Sequence, residues 1–280
     1  MEDIVFSDAL MASLYVIFIV CIFVPVFYYI WFAIKKKINH VAILCGLAVF
    51  FVFEYYLSGG ILKLIEGSEG MGAWGAAALR TLTVAAAETA GIWLGLKLMS
   101  RTHSSVRVPT GFALGFRLFD LLYLGAFNSL LRLANAVLTR ARGKEYILQS
   151  VDEEYVPQME QLLRSLADTK PYVFIMSAVD YACMFILSAA VVRIIWYSIE
   201  GGRRPPDVRL AGAAFLFRAA AELPMALYQS GGGGYALCAA AYYLMTALTA
   251  AFAVVLSRSR DEREKPRAER LQPRTRGKRQ

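Results

Sequence analysis

Seven apolar runs, each close to the ~20 residues that an α-helix needs to cross the hydrocarbon core of a bilayer, decide what this chain can fold into. They fall at roughly 10–34, 41–64, 79–99, 108–131, 171–195, 209–228 and 233–257. The second is interrupted by Glu54 and by Ser58-Gly59-Gly60, which leaves its far end open. With 58% hydrophobic and only 19% charged residues, the composition does not supply a soluble surface. The expected fold class is all-α: a polytopic membrane helix bundle of about seven transmembrane helices, multi-pass in the cell membrane.

Orientation follows from which connections hold Lys and Arg. Lys35-Lys36-Lys37, then Arg101 and Arg107, then Arg203, Arg204 and Arg209, then the basic C-terminal stretch all fall on alternate connections. That alternation places the N-terminus outside and the C-terminus in the cytoplasm. The run after the acidic N-terminus is too long for a signal-peptide core, so the first segment is expected to stay. From Arg258 onward ten Lys/Arg stand against four Asp/Glu, so most of the formal +8 charge belongs to the tail. The chain therefore divides into a membrane domain, 1–257, and a basic cytoplasmic tail, 258–280, expected to be disordered. Anionic lipids are the natural partner of such a tail. No basic patch interleaved with aromatics appears, so nucleic acid is excluded. The four cysteines sit singly in separate apolar segments without CxxC spacing, which suggests neither a disulfide framework nor a zinc knuckle.

One long outside connection runs from about 139 to 170. Ser150 and Glu153 have capping-box spacing, and Met159, Leu162, Leu163 and Leu166 repeat at helical spacing. This predicts an amphipathic helix, either a lid at the membrane surface or a connector packed on the bundle.

Charged residues inside spans are rare and face a bundle interior or a water-filled cavity. In AAAETAGIWLG, Glu88 lies in a small, apolar run, with Gly91 and Gly95 on its face to let a neighbour approach. Glu54, Arg117, Asp120, Asp180, Arg218 and Glu222 join it at ~15 to 21 Å from their entry faces, near the centre of a core about 30 Å thick. Arg117 and Asp120 stand at i,i+3 and Arg218 and Glu222 at i,i+4, so each pair can neutralise itself along one helix face. Glu54, Glu88 and Asp180 have no basic neighbour at that depth on their own helix and must pair across helices or be protonated. Ser177 and Ser188 extend a polar stripe around Asp180, and Pro224 frees backbone beside Glu222. The two histidines, His40 and His103, sit beside basic clusters at the membrane edge, where they read as interfacial residues. No HExxH, Ser-His or Cys-His constellation and no phosphate-cradling loop can be assembled.

Beyond these motifs, the chain resembles the YhfC family of intramembrane proteases, relatives of the wider CPBP (Abi) group that includes the Aph-1 scaffold. The resemblance runs from residue 41 to about 230. CGLAVFFVFE is similar to the family's glycine-containing second span, and ETAGIWLG to its signature helix, with Glu88 at the first glutamate. Thr89 stands where the family has a second glutamate, and Ile92 where it has arginine. GFRLFD resembles a Gly-His-Gly-Gly-x-Glu type motif, with Phe116 at the histidine and Asp120 at the acid. RAAAELPMALYQ resembles a later motif, with Arg218 at the histidine and Glu222 at the acid.

The resemblance implies the fold and the place of the site, with Glu88, Asp120 and Glu222 as catalytic candidates; the count of depths adds Glu54, Arg117, Asp180 and Arg218 as binding candidates. Without the histidines, no metal and no other cofactor is expected. The preferred reading is a pseudoprotease or scaffold that binds a membrane-embedded polypeptide. The alternatives are an active intramembrane protease with Glu88 as general base on water and Asp120, Asp180 or Glu222 assisting, and a transporter or permease-associated subunit in which Glu54, Glu88 and Asp180 couple to proton or solute movement.

Overall fold

The computed structural model describes residues 4–35, 37–66, 72–101, 107–199 and 207–271. Lys36, His103, Arg203, Arg204 and the tail beyond Leu271 lie outside the described residues. Among those described, the chain is helical and contains no strand. The helices in order are α1 Asp8–Ile34, α2 His40–Leu64, α3 Ala73–Ser100, α4 Arg107–Arg142, α5 Lys144–Leu148, α6 Val156–Asp168, α7 Pro171–Ile199, α8 Val208–Gln229 and α9 Tyr235–Leu271. All but α5 and α6 are long and apolar enough to cross a membrane, which gives the seven spans read from the sequence.

Local signals set most boundaries. Ser7 accepts the N–H of Leu10 at the start of α1, and Asn39 accepts that of Ala42 at the start of α2, each relieving an orphan donor of the first turn. Several spans are longer than their apolar runs. α3 begins at Ala73, where an Ala-rich stretch of high helix propensity precedes the hydrophobic run. α4 continues past 131 as an amphipathic extension and stops only at Gly143, whose φ of 81° an L side chain would resist. Past the apolar part of α9, the Arg/Glu-rich stretch up to Leu271 continues as helix, extending a nucleus already formed.

The connection between α4 and α7 departs from its expected start. No capping box forms: the Ser150 hydroxyl donates to the Ile147 carbonyl at 2.7 Å, and a 3₁₀ turn over Glu153–Tyr155 precedes α6. Pro157, in the first turn of α6, fixes the start there because it lacks the N–H that a first turn leaves unused. Leu163 and Leu166 are buried with Phe6, Leu10, Leu14 and Phe174, and Met159 packs against this cluster while Leu162 stays exposed. The helix is thus a connector that packs on the bundle.

α7 is the axis of the structure, packing against α1, α3, α4, α8 and α9. Its Val191, Ile194 and Ile195 are fully buried, and Trp196 nearly so. The tightest crossing joins α2 to α4. A Cβ on Gly46 would strike the backbone of Phe112 and Phe116, and one on Gly115 would strike the backbone of Ile43, so glycine alone permits this approach. Gly91 and Gly95 of α3 act similarly against the side chains of Phe53 and Phe112. These contacts bring α2, α3 and α4 together at the depth of their charged residues.

Candidate functional site

Two of the charged residues sit where the α-helical spacing breaks. Residues Phe50–Ser58 of α2 and Asp120–Phe127 of α4 are π-helical, with Glu54 in the middle of the first segment and Asp120 opening the second. An inserted residue re-aims the side chains around it, and such segments recur at functional sites. Phe119 seals the two together, its ring centroid 4.9 Å from that of Phe51 and 5.6 Å from that of Phe50. Pro224 lies inside α8 two residues after Glu222 and six after Arg218, loosening the backbone there.

The layer closes around Arg117, whose side chain is completely buried. Its Nη1 donates to both oxygens of Glu54, at 2.6 and 2.7 Å, and to Asp120 Oδ2 at 2.8 Å. Its Nη2 donates to Glu88 Oε1 at 2.8 Å, and its Nε to the Ser188 hydroxyl at 2.7 Å. Arg218 grips Glu88 from the other side: Nη2 donates to Oε1 and Nε to Oε2, both at 2.7 Å, while Nη1 donates to Glu222 at 2.6 Å. Glu88 is therefore the shared acceptor of two guanidiniums, the bidentate pairing that suits an arginine fork. Both intrahelical pairs expected from spacing form. Glu54 and Glu88, which lack a base on their own helix, find theirs across helices.

Asp180 does not join this network. It accepts from the hydroxyl of Tyr243 at 2.7 Å and of Tyr235 at 3.3 Å. These tyrosines, Ser188 as the fifth acceptor of Arg117, and the two π segments were not read from the sequence. Their signals were faint: hydroxyls within apolar runs, and two tyrosines about two turns apart on α9.

Asp180 does share a cavity with the network. A space of about 460 Å³ opens beside the layer and is lined by Glu54, Arg80, Asp180, Arg218, Glu222 and Gln229, among others. Glu54 and Glu222 are 21% and 24% exposed, whereas Glu88 is 1% exposed and does not line the cavity. Of the three catalytic candidates, only Glu222 faces this space. Glu88 has both oxygens committed to guanidinium N–H groups, and Asp120, which accepts from Arg117, does not line the cavity. The four carboxylates of the network outnumber its two guanidiniums, and the acids that line the cavity are Glu54, Glu222 and Asp180, of which Glu54 has both oxygens on Arg117.

Among known proteins, the sequence model of the YhfC intramembrane metalloprotease family matches residues 20–244. No curated protein and no solved structure matches the chain. The metal that this family description implies does not fit the residues present. A catalytic zinc site wants three converging His, Cys or carboxylate ligands, and no such group exists among the described residues. Where the carboxylates converge, the Arg117 guanidinium lies between them and takes the oxygens that would face an ion. An ion there would have to displace a buried arginine.

Proposed function

We propose that this chain, which belongs to the YhfC intramembrane metalloprotease family, acts as a pseudoprotease or scaffold in which the Arg117 guanidinium has taken the place of a metal. It is a multi-pass membrane protein, and in this reading it lies in the cell membrane with its N-terminus outside. The observation that carries the reading is a single one. Arg117 donates to Glu54, Glu88 and Asp120, each from a different helix, and so ties α2, α3 and α4 together with one fixed cation. A fixed guanidinium holds carboxylates but offers no open coordination position and no bound water whose proton it could make acidic, which is what a catalytic metal supplies. What remains of a site is the neighbouring cavity, whose lining sets Glu54, Asp180 and Glu222 beside Arg80 and Arg218 and so suits a membrane-embedded polypeptide carrying a polar group.

The test is a cleavage assay of the full-length protein in lipid nanodiscs with fluorogenic single-span reporters. The expected result is no cleavage above that of Arg117→Met and Glu88→Gln. Cleavage that Glu88→Gln abolishes, in a variant that stays folded, would overturn the reading in favour of an active protease with Glu88 as its base.

A further inference from the structure

A second cavity, of about 350 Å³, lies between α1, α4, α7 and α9 at the end of the bundle where α1 and α3 end and α8 begins, the end that carries Lys35, Arg101 and Arg209. It has two parts. Phe32, Ile186 and Val254 make an apolar wall along the membrane-spanning stretch, and Arg193, Ser257 and Arg258 form the rim nearer the helix ends.

Arg193 is inside α7, six residues before Ile199, hence ~9 Å short of the helix end at 1.5 Å per residue. Its Nε makes one long hydrogen bond to the Ser257 hydroxyl, at 3.4 Å, and its guanidinium lies over the Tyr197 ring at 5.8 Å. Among the residues whose side chains are described, which end at Arg260, neither Arg193 nor Arg258 has a carboxylate within ion-pair distance, in contrast to Arg117 and Arg218. Arg193 lies two residues short of the end of the apolar run at 195 and Arg258 just past the run that ends at 257, so both guanidiniums stand at headgroup depth, where a cation without a counter-charge is open to an anion.

The two-part lining says which anion. A free ion would meet only the rim, whereas a phospholipid brings a phosphate to headgroup depth and lays a hydrocarbon chain along the wall below it. Basic pockets between transmembrane helices on the positive side of a bundle are where anionic headgroups bind. We infer that this groove is an anionic phospholipid site, with the headgroup phosphate on Arg193 and Arg258 and an acyl chain against Phe32, Ile186 and Val254. The inference stands apart from the pseudoprotease reading, since the groove shares no residue with the ion-pair layer or its cavity. It also differs from attraction to the rest of the basic tail, because Arg193 is fixed on α7 and Arg258, the first residue of the tail, is held on α9 beside it.

The experiment uses the full-length protein in phosphatidylcholine nanodiscs doped with phosphatidylglycerol, with lipid retention read by native mass spectrometry and stability by a thermal ramp. Phosphatidylglycerol should be retained over phosphatidylcholine and should raise the melting temperature. Near a membrane each basic residue contributes on the order of one factor of five, so Arg193→Gln or Arg258→Gln should weaken retention about five-fold and the pair about thirtyfold. Arg193→Lys should keep the preference, and Arg258→Gln provides an exposed variant should Arg193→Gln fail to fold. Replacing Arg274, Arg276, Lys278 and Arg279 by Gln should leave the preference in place. Equal retention of the two lipids would overturn the inference, as would a preference that survives the double variant or vanishes with the tail variant. Stabilisation by sodium phosphate alone equal to that by phosphatidylglycerol would replace the lipid with a simple anion and overturn it too.

Discussion

Replacing Arg117 by methionine should be among the most damaging single changes in this chain, and the structure gives the size of the effect. Methionine keeps much of the side chain's length and apolar volume, so the change isolates the charge. Arg117 is the sole ion-pair partner of Glu54 and of Asp120 among the described residues, while Glu88 retains Arg218. The substitution strands two acids and leaves the Ser188 hydroxyl without its donor. Removing one partner of a buried ion pair costs about 3–5 kcal/mol, because the remaining charge has lost the compensation for its desolvation. Against a total stability of ~5–15 kcal/mol, that is a large fraction. At roughly 2–4 °C per kcal/mol, the melting temperature in detergent should fall by about 6–20 °C. Adding Glu54→Gln and Asp120→Asn removes the stranded charges and should restore most of the loss. The exposed Arg140–Asp8 pair provides the contrast: Arg140→Gln should cost no more than about 1 kcal/mol, as surface pairs do. If Arg117→Met melted within about 2 °C of the parent protein, the ion-pair layer would not be holding the helices, and the reasoning would fail.

Other changes probe other links in the argument. Gly115→Leu should destabilise by at least about 1–3 kcal/mol, because its side chain has only the Ile43 backbone to occupy, whereas Gly60→Ala, with nothing within 4 Å, should be tolerated; equal melting temperatures for both would refute the glycine-mediated crossing. In the α5–α6 connector, Lys144 and then Arg164 hold the Glu160 carboxyl below its ordinary range. A carboxyl lowered in the folded state favours folding above its unfolded value of about 4.3, and that contribution disappears as the pH falls through the lower folded value. Amide exchange in α6 should therefore quicken on acidification below that value and do so less in Glu160→Gln; the same acceleration in both would contradict this. Gln229→Cys, at the cavity wall and in a background without native cysteines, should react with an impermeant thiol reagent added from outside, and labelling solely from the cytoplasmic side would invert the proposed topology.

The spans were legible because length and apolarity are local properties, and a bilayer leaves the backbone few alternatives to a helix. Membership of the charged layer was legible for the same reason, since depth can be counted along each helix. Pairing along one helix could be read from spacing, as Arg117 with Asp120 and Arg218 with Glu222 demonstrate. Pairing across helices could not. Which acids reach Arg117 depends on how closely α2 approaches α4, which Gly46 and Gly115 govern, and on two π segments that leave no periodic trace in the sequence. Asp180 illustrates the limit: it lies at the right depth, yet its side of α7 faces the tyrosines of α9 instead of the arginines. The absent capping box at Ser150 shows a local motif overruled by a proline four residues beyond its Glu153.

The central claim, that a guanidinium stands where the family description implies a metal, is tested most directly by elemental analysis of the full-length protein, purified without chelators and dialysed against zinc-buffered solution. Zinc and other transition metals should lie far below one ion per chain, with no change in Arg218→Gln or Glu88→Gln. Stoichiometric metal in the parent protein, lost in Glu88→Gln, would contradict it.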